Sequence, residues 1–288
     1  MSPAVHITAC YTFLPLEMED MRALHQELSA FGSEREMKGL VLLAPEGLNA
    51  TVCGNAHAMT EWKKRMRTLA PDIAFKDSTA EWPVFRRWSL KLKREIVTLK
   101  QPNIRPRGSH NHVSPETWQA MLHEKDVVVL DARNQYEVRI GKFSGAVDPG
   151  IKTFSEFPDY VKRAALPKEK KILLYCTGGI RCEKAVLSME AEGYTNVYQL
   201  EGGILAYLEK YPQKDFTGEC FVFDERVAVD QQLQPSKTYT LCPTCGDPVH
   251  SSMIVAQAPF THSQRPDAAP GQRSHEHSLS AEHCTVSL

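Results

Sequence analysis

The sequence predicts two successive α/β units. An N-terminal ferredoxin-like α+β domain occupies residues 1–100, and a domain with a parallel sheet flanked by helices occupies 113–212; a C-terminal extension follows. Three observations carry this. The first stretch reads β-α-β-β-α-β, the split order of ferredoxin-like sandwiches. Residues 101–112 hold two prolines, a glycine, Arg105 and Arg107, and read as a linker. Beyond Val113, short apolar runs alternate with helical patterns, which implies a parallel sheet covered on both faces.

Val5 to Phe13 reads as a strand. Glu17 to Phe31 reads as an amphipathic helix, with Met18, Met21, Leu24 and Leu28 at helical spacing. Gly39 to Leu43 and Ala50 to Cys53 are strands joined by the turn Ala44-Pro45-Glu46-Gly47-Leu48-Asn49. A helix over Ala56 to Leu69 and a strand over Ile73 to Lys76 complete the sandwich. From Phe85 to Lys100, Leu90 and Leu92 alternate with Lys91 and Lys93, as in a strand with one basic face. In the second unit, Ser114-Pro115-Glu116-Thr117 opens a helix, with Ser at the cap and Pro in the first turn. Val127 to Asp131, Lys171 to Tyr175 and Val197 to Leu200 are buried strands. Helices follow over Glu183 to Glu192 and after Gly202-Gly203. Cys220 to Val229 reads as an extended strand. The extension, 213–250, carries a CxxC pair, and the tail over 251–288, rich in Ser, His, Gln, Pro and Ala, is expected to be disordered.

Formal net charge is -1, so any nucleic-acid surface must be a local patch. No apolar run reaches the roughly 18 residues that span a bilayer, and Met1 to Tyr11 shows no signal-peptide pattern. The expected compartment is the cytoplasm, with no membrane and no DNA partner. The eight cysteines are scattered along the chain, unlike a small secreted disulfide framework.

The chemistry concentrates at one strand end. The strand Ile172 to Tyr175 runs directly into Cys176-Thr177-Gly178-Gly179-Ile180-Arg181. Ligands of open α/β sheets sit outside the carboxyl ends of strands. Gly178 and Gly179 let the backbone curl so that amides point inward, and the following helix start adds its dipole. Arg181 adds positive charge. All three favour thiolate over thiol at Cys176. Cysteine phosphatases wrap phosphate in a loop one residue longer. The tighter cradle here suits a persulfide better than a tetrahedral phosphate.

Asp131-Ala132-Arg133, Tyr136-Glu137, Gly141, Gly145-Ala146, the cysteine loop and Gly202-Gly203 follow the order of rhodanese landmarks, and Val113 to Pro212 resembles a rhodanese domain. A wider resemblance rests on Ala44-Pro45-Glu46-Gly47-Leu48-Asn49, on Cys-Thr-Gly-Gly-Ile-Arg-Cys-Glu at 176–183 and on Cys220-Phe221-Val222-Phe223-Asp224-Glu225-Arg226. Together these are similar to the bacterial tRNA uridine hydroxylase family (the TrhO, or YceA-like, group). The resemblance implies oxygen-dependent formation of 5-hydroxyuridine at the tRNA wobble position, a requirement for Cys176, tRNA as partner and dioxygen as co-substrate. No flavin, haem or iron signature accompanies it.

Other residues carry two readings each. Asp131 and Arg133 either support the cysteine loop or form an ion pair with Glu137 or a neighbour. Cys182 is either a resolving thiol for Cys176 or a packed small residue. Arg86, Arg87, Lys91, Lys93 and Arg94, interleaved with Trp82, Phe85 and Trp88, are the candidate RNA patch or a solvated strand face. Cys220 reads as a buried strand residue. Cys242 and Cys245 form one half of a zinc knuckle, a candidate metal site. Only Cys284 follows, with His250, His262, His275, His277 and His283 as other ligand types, so structural zinc stays open. The resemblance favours a wobble-uridine hydroxylase. The loop alone equally supports a persulfide sulfurtransferase. A binding protein with a vestigial rhodanese domain is the non-enzyme reading, against which the intact loop argues.

Overall fold

The computed structural model describes residues 4–107 and 110–254. The N-terminal domain comprises β1 (Val5–Phe13), α1 (Met18–Glu34), β2 (Lys38–Ala44), β3 (Gly47–Gly54), α2 (Ala56–Leu69), β4 (Phe75–Ala80) and β5 (Trp88–Leu92). Its sheet runs β4-β1-β3-β2-β5, the ferredoxin-like order with β5 added parallel to β2. The apolar stripe of α1 (Met21, Leu24, Leu28) and that of α2 (Ala58, Met59, Trp62, Met66) are buried, and both helices pack on one face of the sheet. Met18, expected on that stripe, is 52% exposed, one turn before the core begins. Asn55 caps α2 by accepting from the Ala58 amide.

Two details of β5 differ from the alternation in its sequence. Trp88 and Leu90 pack on the core, and Trp88 donates to the Leu28 carbonyl. Leu92, at the strand end, is exposed. Arg86 lies before the strand and is held in an ion pair with Glu225. The β4 strand starts at Phe75 and runs to Ala80, later than the apolar residue Ile73 suggests, because six residues pair along β1.

The segment over 97–104 is packed rather than loose. Leu99 is buried in the second domain's core, with Val97 and Ile104 against it. The second domain comprises β6 (His112–Val113), α3 (Pro115–Met121), β7 (Val127–Asp131), α4 (Gln135–Val138), β8 (Gly141–Phe143), α5 (Phe157–Ala164), β9 (Lys171–Tyr175), α6 (Ile180–Ala191), β10 (Val197–Leu200) and α7 (Gly203–Lys210). Strands β6-β10-β9-β7 form an all-parallel sheet. One apolar cluster lies on the α5–α6 side and another on the α3–α7 side, which covers both faces as the apolar runs require. Short α4 and α5 have too few turns to show a period in the sequence.

After α7 the extension adds β11 (Phe216–Gly218), β12 (Cys220–Phe221), β13 (Ala228–Val229), β14 (Tyr239–Leu241) and β15 (Pro248–His250). Cys220 to Val229 is therefore a hairpin and not one strand. Val227, at φ 64°, turns the chain back so that Cys220 faces Val229. The disorder expected from Ser251 does not begin there: Ser251–Met253 form a turn of 3-10 helix. Residues 255–288, including Cys284, lie outside the described residues. Among the described residues no helix is long and apolar enough to cross a membrane.

The motifs at a distance from Cys176 are domain clasps. Glu46 of the Ala44–Asn49 turn and Glu95 each approach within 2.8 Å of the buried Lys184 ammonium of α6, and Glu46 also accepts from the Ile96 amide. In the Cys220–Arg226 segment, Arg226 pairs with Asp224 in the interior and donates to Ser78 of β4. The Glu225 amide bonds the Val84 carbonyl. Both sequence motifs thus fix the N-terminal domain onto the cysteine domain.

Candidate active site

Cys176 directly follows β9 and has no exposed surface. Gly179, at φ 98°, turns the chain into α6, which starts at Ile180. Arg181 and Cys182 therefore lie in the first helical turn, earlier than the sequence pattern suggests. The Gly179 amide donates to Cys176 Sγ at 3.1 Å. The amides of Ile204 and Leu205, at the start of α7, bond the carbonyls of Cys176 and Thr177. Gly203 makes this approach possible: a Cβ there would stand 2.5 Å from the Cys176 carbonyl oxygen.

Burial alone raises the thiol's pKa, but it is overcome. The Cys182 thiol, the Arg181 charge and the amides of Arg181 and Cys182 lower the Cys176 pKa to about 6. Cys182 moves the other way. Burial and its hydrogen bond to Cys176 hold it well above the usual thiol range. The pair is a thiolate with a neutral thiol beside it.

Arg181 is not a free cation over the loop. Its Nη1 and Nη2 donate to Glu137 at 2.5 and 2.7 Å, and its guanidinium lies 5.6 Å from the Phe223 ring centroid. Glu137 is fully buried and also accepts from Thr177 Oγ1 at 3.3 Å. Glu137, placed by the capping box of α4, thus holds the loop from beneath.

Asp131 and Arg133 pair with each other and not with Glu137. Arg133 Nη2 donates to Asp131 at 2.7 Å and to the Gly141 carbonyl at 2.6 Å, and both side chains are fully buried. They brace β7 against β8. Cys220 is buried in the α3–α7 core, and burial pushes its thiol up to about 12.

Residues from the N-terminal domain complete the site. Tyr11 of β1 donates to Glu183 at 2.9 Å, and Glu183 is also bonded by His112 Nε2 at 3.0 Å. A Cβ on Gly179 would stand 2.9 Å from the Tyr11 hydroxyl, and one on Gly178 3.7 Å from Lys76 of β4. Tyr11, Lys76 and His112 lie far from the loop in sequence, and nothing in their spacing marked them. Glu183 sits inside the Cys-Thr-Gly-Gly-Ile-Arg-Cys-Glu run.

Arg87, Lys93 and Arg94 are exposed, whereas Lys91 is half-buried and Arg86 is engaged with Glu225. Cys242 and Cys245 flank the tip of the β14–β15 hairpin. Among the described residues no cluster of three His, Cys, Asp or Glu side chains is placed to hold a metal.

Two family models match the chain: the UPF0176 acylphosphatase like domain over residues 5–96 and the rhodanese-like domain over 114–210. Curated relatives match across both. A tRNA uridine(34) hydroxylase of Bdellovibrio bacteriovorus is 46% identical over 84% of this chain and 70% of the relative. The protein of that name from Gluconobacter oxydans is 41% identical over 91% of this chain and 88% of its own. That from Picosynechococcus sp. is 43% identical over 81% and 80%. The chain belongs to the tRNA uridine(34) hydroxylase family.

Proposed function

We propose that the protein hydroxylates the wobble uridine of tRNA at C5, with Cys176 as nucleophile and dioxygen as co-substrate. The observation that carries this is a thiolate stabilised in an amide-lined loop and enclosed by the N-terminal domain, within a chain of this family. A thiolate can add to C6 of uracil and raise electron density at C5, where oxygen enters. Converting C5–H to C5–OH with dioxygen takes two electrons and two protons from a reductant, and the second oxygen atom leaves as water. Anticodon bases are single-stranded and can be splayed into a pocket at small cost. Nucleoside mass spectrometry on matched tRNAs with U34 or C34 tests the assignment. Product from U34 only is expected, whereas equal oxidation of both, or of neither, would reject it.

The sulfurtransferase reading keeps one specific support, the fit of a persulfide to the same loop. It predicts thiosulfate:cyanide turnover and sulfur carried on Cys176, without oxygen gain.

For tRNA contact, we assign the exposed Arg87, Lys93 and Arg94, with Arg105 and Arg107 extending the surface. Cations at a surface neutralise phosphates and release counterions. Charge reversal at Arg87 and Lys93 should weaken tRNA binding and flatten its salt dependence by about one unit of log–log slope per lost contact. An unchanged slope would remove this strand from the RNA interface.

A further inference from the structure

Both helices of the N-terminal sheet lie on one face. Thr8 and Asp77 point that way: Thr8 donates to Asp77, which also pairs with Lys63 of α2. Because side chains alternate along strands, Ile7, Ala9 and Tyr11 of β1 and Lys76 and Ser78 of β4 share the opposite face. That face lies on the cysteine domain, as the Tyr11–Glu183 and Ser78–Arg226 bonds show.

Lys76 occupies an unusual place on this face. Its stem runs along Gly178 and Gly202, 3.7 and 3.9 Å from where their Cβ atoms would be. Its ammonium lies 5.0 Å from the Tyr11 ring centroid. A narrow cavity of about 40 Å³ opens beside it, lined by Ala9, Leu205, Val222 and Arg226. The Tyr11 ring is its cation–π partner, and Glu209 lines the same cavity. Burial lowers its pKa, against the pull of Cys10, Cys176, Glu183 and Glu209. A half-buried cation held over an aromatic ring at the rim of a reactive loop is placed to meet negative charge that develops on a substrate there.

We propose that Lys76 is a catalytic residue of the Cys176 site, supplied by the N-terminal domain, which donates to a carbonyl oxygen of the bound pyrimidine. This rests on the hydroxylase reading. When Cys176 Sγ forms its bond to C6, the C5–C6 π pair moves toward C5 and the C4 carbonyl oxygen, and the charge of the thiolate becomes that of an enolate. No electrons leave or enter the ring at this step. An ammonium already held beside the loop stabilises that oxygen as the charge develops. Once the π pair has formed the C5–O bond, elimination gives up the C5 proton to solvent, the C–H pair restores C5–C6, and the thiolate leaves with the pair of the C6–S bond.

The test is Lys76→Met in the full chain, with U34 tRNA as substrate. Loss of an oxyanion-stabilising donor predicts a fall in kcat of about 100- to 1,000-fold. The Kd for tRNA should stay within about two-fold, since the contact forms mainly in the transition state. The melting temperature should stay near that of wild type, because methionine keeps the packing of the half-buried stem. Lys76→Arg, which keeps the charge, should recover part of kcat. A kcat within about three-fold of wild type would overturn the assignment, as would weaker tRNA binding at unchanged kcat. So would a lowered melting temperature not restored by Lys76→Arg, which marks a structural role. If wild type itself adds no oxygen, the hydroxylase reading fails and this assignment falls with it.

Discussion

Cys176→Ser abolishes hydroxylation while leaving the fold in place. The expected loss is about 10⁴-fold or more, as for other enzymes that lose their nucleophile. Serine fits the same space, and its hydroxyl can accept the Gly179 amide that now reaches Sγ. It does not ionise at neutral pH, so no nucleophile remains. The wild-type rate should carry the thiolate's titration. Cys176 is charged above its lowered pKa of about 6, so the rate falls as pH drops through 6 and is flat above 7. An ordinary thiol would give a rate still rising toward pH 9. A serine variant with wild-type yield, or a profile rising to pH 9, would remove Cys176 from the chemistry.

Glu137→Ala should destabilise the fold by about 3–5 kcal/mol, because it strands the Arg181 guanidinium in the interior. Glu137 is fully buried and its two oxygens meet both terminal nitrogens of Arg181, with Thr177 as a third donor. The alanine variant leaves those donors without an acceptor directly beneath the cysteine loop. Glu137→Gln keeps one acceptor oxygen and should lie between the two. Urea denaturation of the three proteins measures this. A loss under about 1 kcal/mol for Glu137→Ala would show that the pair is solvated or that the loop relaxes around its absence.

Much of the fold was legible because its signals are local. The turn at Pro45-Glu46, the amphipathic α1 and α2, and the apolar runs of β7, β9 and β10 each show in a window of a few residues. The same holds for Cys176: a cysteine after a buried strand and before two glycines carries its reason in its neighbours. What the sequence did not show is pairing over distance. Arg181 reads as a free cation until Glu137, 44 residues away, is seen beneath it. The Cys220–Arg226 segment reads as a strand until Arg226 reaches back to Ser78. Tyr11 and Lys76 look like ordinary alternating strand residues, and only the docking of one sheet face on the cysteine loop distinguishes them. The Leu90–Leu92 alternation misled for a related reason. Leu90 packs on the core while Leu92, at the end of the strand, is exposed, and no strand period records where the cover stops.

The measurement that bears most directly on the central claim is the source of the oxygen. U34 tRNA would be incubated with wild-type protein and a thiol reductant under ¹⁸O₂ in ordinary water and digested to nucleosides for mass spectrometry. The account predicts 5-hydroxyuridine carrying the heavy isotope, and none with Cys176→Ser. Oxygen drawn from water, or unmodified uridine with a sulfur atom carried on Cys176, would contradict it.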